Sequence, residues 1–356
     1  MKYLIYAGTS VDGHRQGIHI LSADIDTGEL EPLNILTGVE GTIYFGLNRT
    51  KTHLYTLQTL LDGTPGLNGT ISAYAIEGTN LRLLNQSFLG TATPCHCTLS
   101  PDESAVVWAD YMSGVFGVSE VAPDGTMALI PPLTVQHFGS GPNIRRQEKA
   151  HAHCAIVTPD GNYLCAADLG SDRVALYDFA NRAKQGLKEV SSIQTKPGAG
   201  PRHVTFTPDG RLAVLINELD STVSTYRYAD GKLTPLDTQS TLPKDFPPDG
   251  SKCAAIKLAR NGRLVLASNR GHDSIAAYAL DPDSGKLTLL RISALRGKFP
   301  RDFEILPGEK FVIVGHKLSN EIQMYALADD GSLTPVHDPI KAHKPLCFKI
   351  GKRLEK

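Results

Sequence analysis

"HVTFTPDGRLAVLIN", residues 203–217, joins two alternating apolar runs through Thr-Pro-Asp-Gly. Proline pre-sets φ at the second turn position, aspartate hydrogen-bonds its own backbone two residues on, and glycine accepts positive φ. The four residues therefore predict a tight reversal. The flanking runs have the period of two expected of half-buried strands. The pattern recurs as "HCTLSPDESAVVWAD" (96–110), "CAIVTPDGNYLCAAD" (154–168), "AAIKLARNGRLVLASN" (254–269) and "DFEILPGEKFVIVGH" (302–316). The copy at 254–269 lacks the Pro-Asp turn.

A third strand follows in each unit, as "RVALYDF" (173–179), "TVSTYRY" (222–228), "SIAAYAL" (274–280) and "EIQMYAL" (321–327). A fourth follows as "GKLTPL" (231–236), "GKLTLL" (285–290) and "GSLTPV" (331–336). The turns fall at Arg49, Pro101, Pro159, Pro208, Arg260 and Pro307, spaced by 52, 58, 49, 52 and 47 residues. Units of this period with four antiparallel strands are the signature of propeller blades. The six internal units need a seventh, and the two ends supply it. "PLCFKI" reads as a first strand, and "KYLIYAGT", "GIHILSADI" and "GELEPL" as the second, third and fourth. The expectation is all-β: one seven-bladed β-propeller domain over residues 1–356. Its closing blade combines residues about 1–34 with about 345–350, which removes open sheet edges. "YDFANRAKQG" (177–186) is the one helical-looking piece.

Composition narrows the function classes. Of 356 residues, 41% are apolar, enough for a large core, and the net charge of −1 gives no general attraction to nucleic acid or anionic membrane. No apolar run approaches the roughly 18 residues of a membrane span, and the N-terminal run is too short for a signal peptide. The six cysteines show no framework spacing. The expected setting is cytoplasmic, with reduced cysteines, no cofactor, and a monomer or dimer.

The repeats also locate a face. The start of a blade's first strand and the end of its second lie at the same end. Six residues before each turn stand Ile43, Cys95, His153, Arg202, Ala254 and Arg301; ten residues after stand Tyr111, Leu169, Glu218, Arg270 and Lys317. Asp110, Asp168, Asn217, Asn269 and His316 come just before the second set. Near a crowded axis these positions call for small or apolar residues, yet one end carries His153, Arg202, Glu218, Arg270, Arg301 and Lys317. The long junction into blade three brings Arg145, Arg146, Glu148 and His151 over the same end. A cationic set around a histidine and a carboxylate suits a small anionic substrate, because arginine forks match carboxylate or phosphate oxygens.

Each residue also has a structural reading. His153 can be a satisfied core histidine, Glu218 and Arg270 an ion pair stapling adjacent blades, and Arg301, Lys317 and the 145–149 run solvated charges. "HAHC" and "CHC" place metal-ligand types two apart, but no matched second pair follows, so no metal is expected. "GSGPNI" lacks the third glycine of a dinucleotide fingerprint.

"GSGPNIRRQEKAHAH" (139–153), "GAGPRHVTFTPDGRLAVLINELDSTVSTY" (198–226), "SNRGHDSIAAYALD" (268–281) and "FPRDFEILP" (299–307) resemble the lactonase family of seven-bladed propellers over nearly the whole chain. That family includes propeller-type 6-phosphogluconolactonases and carboxy-cis,cis-muconate cyclases. The resemblance implies hydrolysis of 6-phosphogluconolactone to 6-phosphogluconate, with His153, Arg202, Glu218 and Arg270 matching the family's active-site quartet. Arg146, Glu148, His151, His203, Asn217, Arg301 and Lys317 are the expected substrate- and phosphate-binding residues. His153 or Glu218 is the expected base, and Arg202 or Arg270 the oxyanion donor. The competing expectations are a muconate-type cycloisomerase or another sugar-acid lactonase, and a non-catalytic interaction module.

Overall fold

A computed structural model describes residues 1–10, 17–39, 42–60 and 68–355. Among these, seven four-stranded antiparallel sheets form, as a seven-bladed propeller requires. Blade one is Tyr44–Leu47, His53–Thr59, Gly69–Glu77 and Asn80–Phe88; blade two is Pro94–Leu99, Ala105–Asp110, Val115–Glu120 and Leu133–Gln136. Blade three is Ala152–Val157, Tyr163–Asp168, Arg173–Asp178 and Lys188–Gln194; blade four is Pro201–Phe206, Leu212–Asn217, Thr222–Ala229 and Lys232–Ser240. Blade five is Lys252–Ala259, Leu264–Arg270, Ser274–Leu280 and Leu287–Ala294; blade six is Pro300–Ile305, Phe311–His316, Glu321–Leu327 and Leu333–Lys341. The closing blade pairs Pro345–Arg353 with Lys2–Thr9, followed by Ile18–Asp24 and Leu30–Leu36. The helical-looking piece is a single turn, Arg182–Gln185.

The Pro-Asp-Gly turns work as their chemistry predicts. In blade three Thr158 donates its hydroxyl to Asp160, the Asn162 N–H donates to the same carboxylate oxygen, and Gly161 sits at φ +75°. Blade four repeats this with Thr207, Asp209, Arg211 and Gly210. In blade five Arg260 and Asn261 take positive φ themselves, and Glu309 of blade six accepts the Arg260 N–H at 2.9 Å.

Two compact units divide the chain: Glu40–Ala213 with Arg227–Thr234, and Met1–Val39 with Val214–Tyr226 and Pro235–Lys356. In the first, alternating inward residues of blades two and three pack together, with Val107, Phe116 and Val118 against Ala155, Leu164 and Tyr177. In the second, Leu264, Leu266 and Ile275 of blade five meet Phe303, Val312 and Tyr325 of blade six. Blade six in turn meets Ile5, Leu21 and Phe348 of the closing blade. Each buried valine, leucine, isoleucine or phenylalanine among them contributes about 1.5–3 kcal/mol by leaving water.

One irregularity recurs. In blade two Pro94 pairs with Asp110 and His96 with Ala109, so Cys95 is an extra residue. His153 is extra in blade three, between Ala152↔Asp168 and Cys154↔Ala167. Arg301 is extra in blade six, between Pro300↔His316 and Asp302↔Gly315. A β-bulge leaves one residue out of the ladder and re-aims its side chain. Blade five has a similar irregularity between Cys253 and Ile256. In blades two, three and six the six-residue offset in the sequence therefore marks a bulge.

The residues closing the second strands hold turns together. Asp168 accepts the N–H groups of His151 and Gly170 and the hydroxyl of Ser171, and faces His137, which also bonds the Tyr177 hydroxyl at 2.7 Å. Burial pushes the Asp168 carboxyl up, but these donors outweigh it and hold it below the usual carboxylate range. Blade six has His316 there instead, bonded to the Tyr325 hydroxyl at 3.1 Å. Burial lowers its pKa to about 4, from an ordinary imidazole value of 6.5. The unfolded chain thus binds the proton first as pH falls. The stabilisation from neutral His316 is complete above about pH 6.5 and is lost as pH falls through about 4. The expected loss is about 3 kcal/mol. His316→Asn, which copies Asn269 of blade five, is expected to show a shallower acid limb in urea unfolding between pH 7 and 4. Superimposable limbs would refute this.

Candidate functional site

The Glu40–Ala213 unit carries a chain of aromatic rings. Tyr44 and His96 lie 4.5 Å apart between centroids, His96 and His203 5.0 Å, and His203 and His153 5.3 Å. Tyr111 continues it edge-on to His153 at 5.7 Å and stacks on His151 at 4.3 Å. His153 and Arg202 are buried. Arg202 Nη1 lies 3.1 Å from Nε2 of His203. Arginine can only donate, so the facing imidazole nitrogen accepts and carries no proton.

The long junction is braced onto this chain. Gln147 donates its amide to the Leu169 carbonyl at 2.9 Å. Gly170 is required here, because a Cβ would overlap the Lys149 carbonyl oxygen. His151 has Nδ1 3.0 Å from the Tyr111 carbonyl and Nε2 3.0 Å from Glu148 Oε1. Each ring nitrogen therefore faces an oxygen acceptor. The His151 hydrogen bond holds the Glu148 carboxyl below its ordinary range. Arg146 donates to the Tyr111 hydroxyl at 3.1 Å. The "CHC" and "HAHC" stretches meet where His96 Nε2 lies 3.7 Å from Cys154 Sγ. Among the described residues no group of three or more His, Cys, Asp or Glu side chains has metal-binding geometry.

The other unit carries a buried ion pair. Arg270 Nη2 lies 2.7 Å from Glu218 Oε2, with side chains 7% and 2% exposed. The same Nη2 donates to the Cys253 carbonyl at 2.5 Å, whereas Nε is buried without a hydrogen-bond partner among the described residues. The Arg270 guanidinium carbon lies 5.3 Å from the Phe299 ring centroid, and Lys317 Nζ lies 5.9 Å from it. Arg301 is half-buried at its bulge.

The expected residues therefore gather in two groups. Arg146, Glu148, His151, His153, Arg202 and His203 share the ring chain of one unit. Glu218, Arg270 and Lys317 are linked in the other. Asn217 is engaged differently: its Nδ2 donates to the hydroxyls of Thr222 and Ser224 within its own blade. That resembles Asn269, which donates to the Ser274 hydroxyl. Tyr44, His96, Tyr111 and Phe299 were not among the expected site residues. Tyr111 stands at the ten-residue offset, but an inspection for charge passes over it. A separate pocket lined by His53, Tyr55, Asp102 and Glu103 lies near the blade-two turn. Its carboxylates are taken up locally, Asp102 by Ser100 and Ser104 and Glu103 by the Arg49 N–H.

Known proteins resemble the chain over its whole length. The family described as "Lactonase, 7-bladed beta-propeller" matches residues 4–350. A 6-phosphogluconolactonase of Bacillus subtilis is 32% identical, covering 98% of both chains. A periplasmic gluconolactonase of Pseudomonas aeruginosa superimposes with a TM-score of 0.91 at 26% identity, covering 99% of each chain. A Lactobacillus plantarum protein does so at 0.89 and 31% identity, covering 99% of this chain and 100% of its own.

Proposed function

Because the chain belongs to the lactonase family of seven-bladed β-propellers, we propose that it hydrolyses 6-phosphogluconolactone to 6-phosphogluconate, a step of the pentose phosphate pathway. One observation carries the reading: Arg270 is buried with its Nε donor unspent. A buried donor without a partner is costly, and an oxyanion or an anionic substituent of a ligand satisfies it. Water attacks the ring carbonyl carbon while His153 takes its proton, a role for which imidazole is suited near neutral pH. Glu218 commits one carboxylate oxygen to Arg270, which favours His153 as base and leaves Glu218 to hold the arginine in place. Arg202 stabilises the oxyanion. The intermediate collapses by breaking the carbon–ring-oxygen bond, and the proton on His153 passes to the departing oxygen. The products are a free hydroxyl and a carboxylic acid, which releases its remaining proton to solvent and becomes the carboxylate.

Arg146, Arg270, Arg301 and Lys317 supply charge for the phosphate. Glu148, His151 and Asn217 act by holding the junction and the blade-four turn, and His203 by orienting Arg202. A phosphorylated substrate goes with a cytoplasmic setting. The Pseudomonas relative is named as a periplasmic gluconolactonase, so the phosphate is the feature to test. Freshly prepared 6-phosphogluconolactone and gluconolactone are to be compared by kcat/KM above spontaneous hydrolysis. The phosphorylated lactone is expected to lead by about 10–100-fold, the worth of one or two charged hydrogen bonds. Equal rates, or a preference for the unphosphorylated lactone, would remove the phosphate from the reading. No acceleration of either would remove the reading itself.

A further inference from the structure

Phe299 has a backbone conformation that its side chain disfavours, and two cations lie against its ring. Its φ is +64°, in the left-handed region that bulky residues rarely enter. Pro300 follows, which restricts it further. The surroundings impose this conformation. The Phe299 N–H donates to Asp273 Oδ1 at 2.7 Å, and its carbonyl accepts the Lys317 N–H at 3.0 Å. The adjacent Lys298 N–H donates to the Ser319 hydroxyl at 2.7 Å. Strained backbone of this kind persists where its neighbours over-determine it, and it gathers at ligand sites.

The result is that the ring centroid lies 5.3 Å from the Arg270 guanidinium carbon and 5.9 Å from Lys317 Nζ, within cation–π range of both. Arg270 and Lys317 repel each other, and a ring whose face is negative offsets that repulsion for both. Arg270 is also fixed through Nη2 by Glu218 and the Cys253 carbonyl, so its unspent Nε edge has a defined direction. Phe299 and Lys317 are each half-buried, which leaves a ligand room to reach them.

We infer that Phe299 is a positioning residue whose ring holds the Arg270 guanidinium and the Lys317 ammonium together as a receptor for one phosphate monoester of the substrate. The inference rests on the lactonase reading but has its own readout. Inorganic phosphate is titrated calorimetrically into the full chain as wild type, Phe299→Leu and Phe299→Tyr, and KM and kcat are measured with the phosphorylated lactone. Leucine keeps the bulk and the strained backbone but removes the ring, whereas tyrosine keeps the ring. Phe299→Leu is expected to weaken phosphate binding and raise KM by about tenfold, with kcat changed less than about twofold. Phe299→Tyr is expected to stay near wild type. Phe299→Met takes the place of the leucine variant if that one does not fold.

Equal phosphate affinity in the leucine and tyrosine variants, a fall in kcat without a rise in KM, or no phosphate binding by the wild type would each overturn the inference. A wild type that hydrolyses no lactone, but whose phosphate binding weakens in Phe299→Leu and survives in Phe299→Tyr, would overturn the functional reading and support this one.

Discussion

His153→Gln is expected to lower kcat for lactone hydrolysis by about 10²–10⁴-fold, the usual worth of a general base. The fold should tolerate it. His153 is the extra residue of a bulge, so no ladder pairing is lost, and its ring contacts with Tyr111 and His203 are worth about 0.5–1.5 kcal/mol each. Arg202→Ala is expected to cost about 10²–10³-fold if its guanidinium meets the oxyanion. Glu218→Gln tests a different point. It removes the counter-charge of a buried guanidinium, and breaking such a pair costs about 3–5 kcal/mol. A purely structural staple would lose stability and keep KM in the folded fraction. The proposed mechanism requires stability to fall and KM to rise, because Arg270 loses its orientation toward the phosphate. Rates at 15 °C, with unfolding curves on the same samples, separate the two. A His153→Gln enzyme with wild-type kcat would refute the assignment of the base.

Trp108→Ala is expected to destabilise the protein by about 3–5 kcal/mol. Trp108 is the single tryptophan of the chain and is fully buried. Its indole N–H donates to the Ser119 hydroxyl at 3.0 Å. It lies across Gly117 of the neighbouring strand, where any Cβ would overlap the indole. The pair is complementary, since the glycine provides space and the tryptophan fills it. Alanine would leave a cavity and an unpaired buried hydroxyl. Because the substitution removes the fluorophore, circular dichroism in urea is the measurement. A loss below about 1 kcal/mol would show that blade two repacks around the gap. Tyr111 is three residues further on, so partial loss of the His151 stack is expected with it.

The blades are legible in the sequence because their signals are local: a turn with fixed φ demands and alternation on both sides. The Glu218–Arg270 pair is legible as well, since both stand at the same offset in successive repeats. The bulge is half-legible. The offset finds the position, but nothing in a count says that the residue there is out of register. Asn217 shows the limit of reasoning by polarity, because its amide nitrogen is occupied by neighbouring hydroxyls. Phe299 was not legible at all. An aromatic residue before proline predicts extended backbone, and the bonds that override this come from Asp273 and Lys317, outside its own stretch.

The pairing of Lys2–Thr9 with Pro345–Arg353 has a consequence for biosynthesis. Lys2–Thr9 leaves the ribosome more than 300 residues before the strand it pairs with, Pro345–Arg353. At ordinary elongation rates the interval is about 20–70 s. Throughout it Lys2–Thr9 has one open edge, the kind that recruits strands from other chains. Slow translation and crowded polysomes should therefore lower the soluble yield of this protein more than its equilibrium stability would suggest, and shielding of the nascent Lys2–Thr9 strand by a chaperone should restore it.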